Sequence, residues 1–119
     1  MSARIRAKKV KEDGHTFDSM REHARYCMLK LLIRAGEIEG LQVHPRFPIV
    51  IGGVPILMRS ARYPNGRQLT YVADFRYRRV GEIGPFAEWV IEDSKGHRTE
   101  VYKLKLALVQ AMGLEILET

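Results

Sequence analysis

Between Ser19 and Ala35 the residues Met20, Ala24, Cys27, Met28, Leu31, Leu32 and Ala35 recur at three- and four-residue steps, the period of one helix face. The spacing predicts a helix from about Ser19 to Ala35, with Ser19 and Glu22 as a capping box and Gly36 as its stop. A second helical pattern runs from about Thr99 to Met112. Its inner stripe is Val101, Leu104, Leu108 and Ala111, widened by Leu106 and Val109, with Thr99 as cap and Gly113 as stop. Between the two, the period is that of strands. Leu41 to Ile51 contains Pro45 and Pro48, which confine it to an edge or an irregular strand, and Gly52-Gly53 breaks it. Residues 54 to 67 carry no clear period beyond the turn Pro64-Asn65-Gly66; they could contact a ligand or a second subunit. Gln68 to Tyr77 is aromatic and β-branched, a strand; Ala87 to Lys95 is another, closed by Gly96; Leu114 to Leu117 is a short last one. Residues 1–16 show no period and are expected to form a flexible arm, leaving 17–119 as the folded domain. Helix, three strands, helix, strand predicts a single-domain α/β sandwich around a small mixed sheet.

Composition narrows the class. A chain of 119 residues, 45% hydrophobic and 29% charged, is sized for one globular domain. No apolar run approaches the roughly 18 residues of a membrane span, and the basic N-terminus has no apolar stretch behind it, so it does not resemble a secretory signal. Cys27 is the one cysteine; it excludes an intrachain disulfide, fits a reducing cytoplasm, and is expected to be a buried helix thiol. Charge is unevenly placed. Arg4, Arg6, Lys8, Lys9 and Lys11 stand in the first 11 residues without an acid, so the arm carries nearly all of the net +6. A basic arm over a near-neutral body suits a phosphate backbone; the competing reading is a tail that only solubilises.

The chemistry concentrates in Trp89-Val90-Ile91-Glu92-Asp93-Ser94-Lys95. On a strand, Trp89, Ile91, Asp93 and Lys95 share one face, while Val90, Glu92 and Ser94 share the other, which is polar enough to meet water. An acid and an amine that prolong an apolar face call for a reason, because charges are rarely buried unpaired. Asp74 lies mid-strand in Tyr71-Val72-Ala73-Asp74-Phe75, where Asp is disfavoured; alone it could face solvent. Beside Asp93 on a neighbouring strand it would form a repelling pair, and Mg²⁺ is the natural occupant of such an oxygen site near phosphate. The pleat favours Asp93 over Glu92 as ligand, since only Asp93 shares the face of Lys95. Lys95 could orient or activate an attacking water. Glu22 is either a helix cap or a third acid pointing across at the strands. The histidines His15, His23, His44 and His97 show no zinc-ligand spacing, and Gly52-Gly53 lacks the residues of a phosphate loop.

An acid on one strand, Asp-x-Lys on the next and a Glu on the preceding helix resemble the PD-(D/E)XK nuclease superfamily, here as Asp74, Asp93-Ser94-Lys95 and Glu22. More narrowly, the chain resembles a family of small phage proteins with this core. The matching segments are Phe17-Asp18-Ser19 with Glu22 and Ala24-Arg25-Tyr26, then Tyr71 to Phe75, Glu92 to Gly96, and Thr99 with Tyr102 to Lys105, so the likeness spans about residues 17 to 117. One departure is Ala73, where the superfamily's name has proline.

The resemblance implies a Mg²⁺-dependent phosphodiesterase acting on DNA, with Mn²⁺ able to substitute. Glu22, Asp74, Asp93 and the Ser94 carbonyl would hold metal, and Lys95 would assist the water. Phage members of this size are often Holliday junction resolvases that act as homodimers on four-way DNA, which places this chain in the cytoplasm, the host's if it is phage-encoded. The arm, with Arg21, Arg25, Lys103 and Lys105, would grip the backbone; a solvated helix face is the competing reading for those four. A non-catalytic DNA-binding module on the same scaffold, or a nicking or duplex endonuclease using the same site, are the alternatives.

Overall fold

Asp13 and Gly14 both take positive φ, 53° and 79°. That pair is what a two-residue type I′ hairpin turn demands, and it joins β1 (Val10–Glu12) to β2 (His15–Phe17). The structure, a computed structural model, describes residues 9–81, 89–94 and 98–119. Residues 10–17 form a hairpin inside the stretch expected to be a flexible arm, signalled by the Asp-Gly pair. Lys9 and Lys11 are exposed there, and Arg4, Arg6 and Lys8 lie outside the described residues. No Cβ clash awaits at Gly14, so Gly14→Ala tests the backbone alone. We expect it to lower stability by about 1 kcal/mol in a urea melt; an unchanged midpoint would mean this turn is not formed.

Helix α1 (Met20–Arg34) follows, with the Ser19 hydroxyl accepting from the Glu22 amide at 3.1 Å. Strand β3 (Ile38–Val43) returns along it. The chain then leaves the central sheet for an excursion: β4 (Arg46–Pro48), β5 (Val50–Ile51), β6 (Val54–Pro55), β7 (Leu57–Met58), β8 (Arg67–Gln68) and β9 (Thr70–Val72). These pair as β4 with β9, β5 with β6 and β7 with β8, all antiparallel. The three ribbons meet where Ile49, Ile56 and Leu69 exchange backbone hydrogen bonds in a ring, over the fully buried Ile49. Strand β10 (Phe75–Arg79) re-enters the sheet, followed by β11 (Val90–Asp93), helix α2 (Glu100–Ala111) and β12 (Ile116–Glu118). The central sheet is mixed, in the order β12-β11-β10-β3, with β12 parallel to β11 and the other pairs antiparallel.

Two cores result, one on each face of this sheet. Phe17, Tyr26, Leu29, Ile38, Phe75 and Tyr77 fill the α1 side; Ile49, Tyr71, Ala73, Ile91, Leu106 and Val109 fill the α2 side. The fold is one small α/β domain, and the expected helix, three strands, helix, strand order is the order of α1, the sheet and α2. Two expectations need correction. The predicted strand from Gln68 to Tyr77 falls on three strands, the end of β8, then β9 and β10, with breaks at Leu69 and at Ala73-Asp74. The partner segment breaks opposite, at His44, which takes φ 53°, and Pro45, which has no amide to give. His44 N donates to the Asp74 carbonyl and Ala73 N to that of Pro45, so the paired segments bend together.

The buried face of α1 also differs from the predicted one, and that of α2 differs in part, since Leu106, Leu108 and Val109 of its expected stripe do meet the core. Along α1 it is Glu22, Tyr26 and Leu29 that are buried, while Met20, Met28 and Leu31 are exposed. Along α2, Leu106 and Val109 are buried, and Val101 and Leu104 are exposed. The hydrophobic period marked a helix correctly in both cases, but polar partners across the sheet, described next, decide which side faces inward.

Candidate functional site

Strand β11 ends in two acids that the pleat sends to opposite faces, and both are buried. Glu92 is 1% exposed on the α1 side, which corrects the expectation that this face meets water. Arg25 reaches down from α1 and grips it with two nearly parallel bonds, Nε to Oε1 at 2.8 Å and Nη2 to Oε2 at 2.6 Å. The Tyr77 hydroxyl donates to Oε2 as well. The carboxylate drives the Arg25 guanidinium pKa still higher, against the opposing effect of burial. Arg25 thus holds a buried carboxylate instead of standing free on an exposed helix face.

Asp93 faces α2. Its Oδ2 accepts from the hydroxyls of Tyr71, on β9, and Tyr102, on α2, the latter at 2.6 Å. Burial pushes its pKa up to about 6; the tyrosine hydrogen bonds oppose the rise, and the neighbouring Asp74 carboxylate adds to it. Asp74 stands at the strand break, where its amide bonds the Glu92 carbonyl at 3.1 Å. The break frees its side chain to meet Ser94, whose amide and hydroxyl both donate to Asp74 Oδ2 at 2.7 Å. The bonds named for each Asp end on Oδ2 and leave Oδ1 out of them. Sequence reasoning placed Asp74 and Asp93 side by side, and the structure does so.

Glu22 joins them from α1. It is buried, and its pKa is raised first by that burial and then by the charge of Asp74. His44 opposes the rise, with Nε2 2.6 Å from Glu22 Oε1, and the Asp18 amide donates to Oε2 at 3.3 Å. The capping box is therefore half made: Ser19 caps the helix, while the Glu22 side chain turns toward the acids. Among the described residues Glu22 does not close with Asp74 and Asp93 into one compact three-donor shell; the cluster that does is Glu12, His23 and Cys27. Lys95 lies outside the described residues.

His44, Tyr71 and Tyr102 escaped the sequence reading as site residues. Tyr71 and Tyr102 carried a signal, since each lies in a segment that matched the nuclease-like pattern. His44 carried none; its position depends on the bend. Of the remaining cations proposed to grip DNA, Lys103 pairs with Glu100 on the surface at 3.1 Å, and Arg21 lines a small cleft beside Ala24, Met28, Ser94 and Thr119. Lys105 does more. With Arg46, Arg59, Arg67, Tyr63 and Thr70 it lines a cleft of about 440 Å³. A smaller hollow of about 210 Å³ shares Thr70, Val72 and Lys105 with that cleft and continues to Tyr71 and Tyr102, the two residues that hold Asp93.

A family model, described as protein of unknown function, matches residues 2–116. The chain belongs to the DUF1064 family. The match covers the hairpin, both helices, the excursion and all three acids of this DUF1064 chain. No curated protein and no solved structure matches it. Among the described residues no helix is long and apolar enough to cross a membrane.

Proposed function

We propose that this DUF1064 protein is a Mg²⁺-dependent DNA endonuclease of the PD-(D/E)XK type, acting on branched DNA with the four-way junction as first substrate. The observation that carries the reading is the adjacency of Asp74 and Asp93, with Asp93 held near pKa 6. An acid that holds its proton more tightly because a second carboxylate stands beside it marks a site for a cation, and an all-oxygen donor set suits Mg²⁺ and its substitute Mn²⁺. Bound there, the ion supplies charge stabilisation on the phosphate and a more acidic water.

The chain's own residues do the rest. Tyr71 and Tyr102 fix Asp93, and Ser94 fixes Asp74, so each acid offers a defined Oδ1 edge. His44 holds Glu22 within electrostatic reach of Asp74, where it can order a ligand water. Lys95 enters from the Asp-x-Lys spacing alone: on extended chain its amine shares the face of Asp93 and would orient the attacking water. The basic cleft leading to Tyr71 and Tyr102 suits a DNA strand whose phosphates pass from Arg59 and Arg67 toward the acids. Two such clefts in a homodimer would serve two strands of a junction.

Incubating the protein with labelled four-way, flap and linear DNA, in Mg²⁺ and in EDTA, tests this. The expected result is junction cleavage in Mg²⁺ only, lost in Asp74→Asn; an Asp74→Asn protein that cuts as well as the parent would sink the assignment. The hold of His44 on Glu22, outside a shared shell, favours one competitor: a DNA-binding module without catalysis, which would bind in both buffers and cut in neither. Arg59→Ala and Arg67→Ala should each weaken binding and lower the slope of log affinity against log salt by about 1. Unchanged slopes would place the DNA elsewhere.

A further inference from the structure

Away from the acids, three different donor atoms converge where the N-terminal hairpin meets α1. Glu12 Oε1 is 3.0 Å from His23 Nε2, and Cys27 Sγ is 3.7 Å from the same nitrogen. All three atoms lie within 4.8 Å of one another. A tetrahedral zinc ion with Zn–N near 2.0 Å and Zn–S near 2.3 Å separates its ligand atoms by roughly 3.3–3.6 Å. The donors therefore stand at close to the required spacing before any ion is added.

The local fold explains the convergence. His23 and Cys27 are four residues apart, so they stack on one face of α1. Glu12 is delivered by β1, whose reach is set by the Asp13-Gly14 turn. Lys30 is the cation facing this group; it binds Glu12 through the other oxygen, Oε2, at 2.8 Å and also holds Asp13 at 2.9 Å. Glu12 Oε1 can thus serve a metal while Lys30 keeps both acids. All three donors are half-buried, open enough for an ion to enter and for a water to complete the shell. Thiolate, imidazole and carboxylate together prefer a zinc-type ion to Mg²⁺, which favours oxygen alone.

We propose that Glu12, His23 and Cys27 form a zinc-type metal site, separate from the acid cluster, that clamps the hairpin onto α1. Binding forms metal bonds to Glu12 Oε1, His23 Nε2 and Cys27 Sγ. The thiol proton leaves to solvent; the proton that His23 Nε2 shares with Glu12 Oε1 also leaves or shifts to Nδ1, so that the neutral imidazole binds through Nε2 with its proton on Nδ1. His23 follows Glu22 directly on α1, so the clamp fixes the helix turn that presents Glu22.

Metal-stripped full-length protein titrated with Co²⁺ tests the site. The expected result is one Co²⁺ per chain with an intense near-ultraviolet thiolate-to-cobalt band and tetrahedral visible bands, reversed by Zn²⁺ and indifferent to excess Mg²⁺. Cys27→Ser should lose the thiolate band, Glu12→Gln should weaken binding by about tenfold or more, and Asp74→Asn should leave the spectrum unchanged. In the parent protein Zn²⁺, but not Mg²⁺, should slow alkylation of Cys27, a measurement that needs no variant. No thiolate band in the parent, a band that survives Cys27→Ser, a band lost in Asp74→Asn, or alkylation indifferent to Zn²⁺ would each overturn the proposal.

Discussion

Asp93→Asn is expected to abolish cleavage, by about a thousandfold or more, and at the same time to make the metal-free protein more stable at neutral pH. The two effects share a cause. Burial and the neighbouring Asp74 raise the Asp93 pKa to about 6, from an ordinary value of 3.8. The folded chain thus holds that proton more tightly than the unfolded chain. The resulting stability is fully present below pH 3.8 and is lost as pH rises through about 6. At pH 7 the ionised Asp93 therefore costs the metal-free fold about 2–3 kcal/mol. Asparagine keeps the shape, still accepts from Tyr71 and Tyr102, and removes the charge. Its melting temperature should exceed the parent's by roughly 5–10 °C. Calorimetry without divalent ions provides the check: the parent should gain clearly more stability between pH 7 and pH 5 than the variant, which keeps only the smaller contribution of Glu22. A variant less stable than the parent at pH 7 would mean that the two acids do not repel. Metal affinity runs the opposite way. It should fall below about pH 6, where a proton competes for Asp93.

Removing one partner of the Arg25–Glu92 pair should have the largest effect on folding. Arg25→Ala leaves a carboxylate that is 1% exposed with only the Tyr77 hydroxyl for company. A loss of about 3–5 kcal/mol is expected in a urea melt. Arg25→Lys should recover only part of it, because an ammonium cannot make both bonds of the guanidinium fork. Replacing the group as a whole, with Arg25→Met, Glu92→Leu and Tyr77→Phe together, should cost less than Arg25→Ala alone. If Arg25 served only to grip DNA, as its place on a helix face suggested, Arg25→Ala would shift the melt by less than about 0.5 kcal/mol and weaken DNA binding instead.

Both predictions turn on residues that the sequence reading handled differently. Asp93 was legible because alternation on a strand is local: Ile91 and Asp93 share a face whatever the strand pairs with. Asp74 was legible for a similar reason, as an acid in a run of strand-forming residues. The fate of Glu92 and Arg25 was not, because the rule that one sheet face meets water fails when helices cover both. The stripe of the first helix failed on the same ground. Met20, Met28 and Leu31 have the helical spacing, but the face turned inward carries Glu22, Arg25 and Tyr26, whose partners lie on other elements. The first hairpin was missed for a different reason, since Asp13-Gly14 was passed over as part of a basic tail.

Alternation along β11, the Ser19 and Thr99 caps, the glycine stops and the presence of the two helices are settled by interactions within a few residues, and the amino-acid order alone dictates them. Which helix face is buried, the bond from Arg25 to Glu92 across 67 positions, the bend that lets Asp74 reach Ser94, and the meeting of Glu12 with His23 and Cys27 belong to packing. These depend on where separate elements come to rest against one another. No periodicity along the chain reports a contact made between elements distant in sequence.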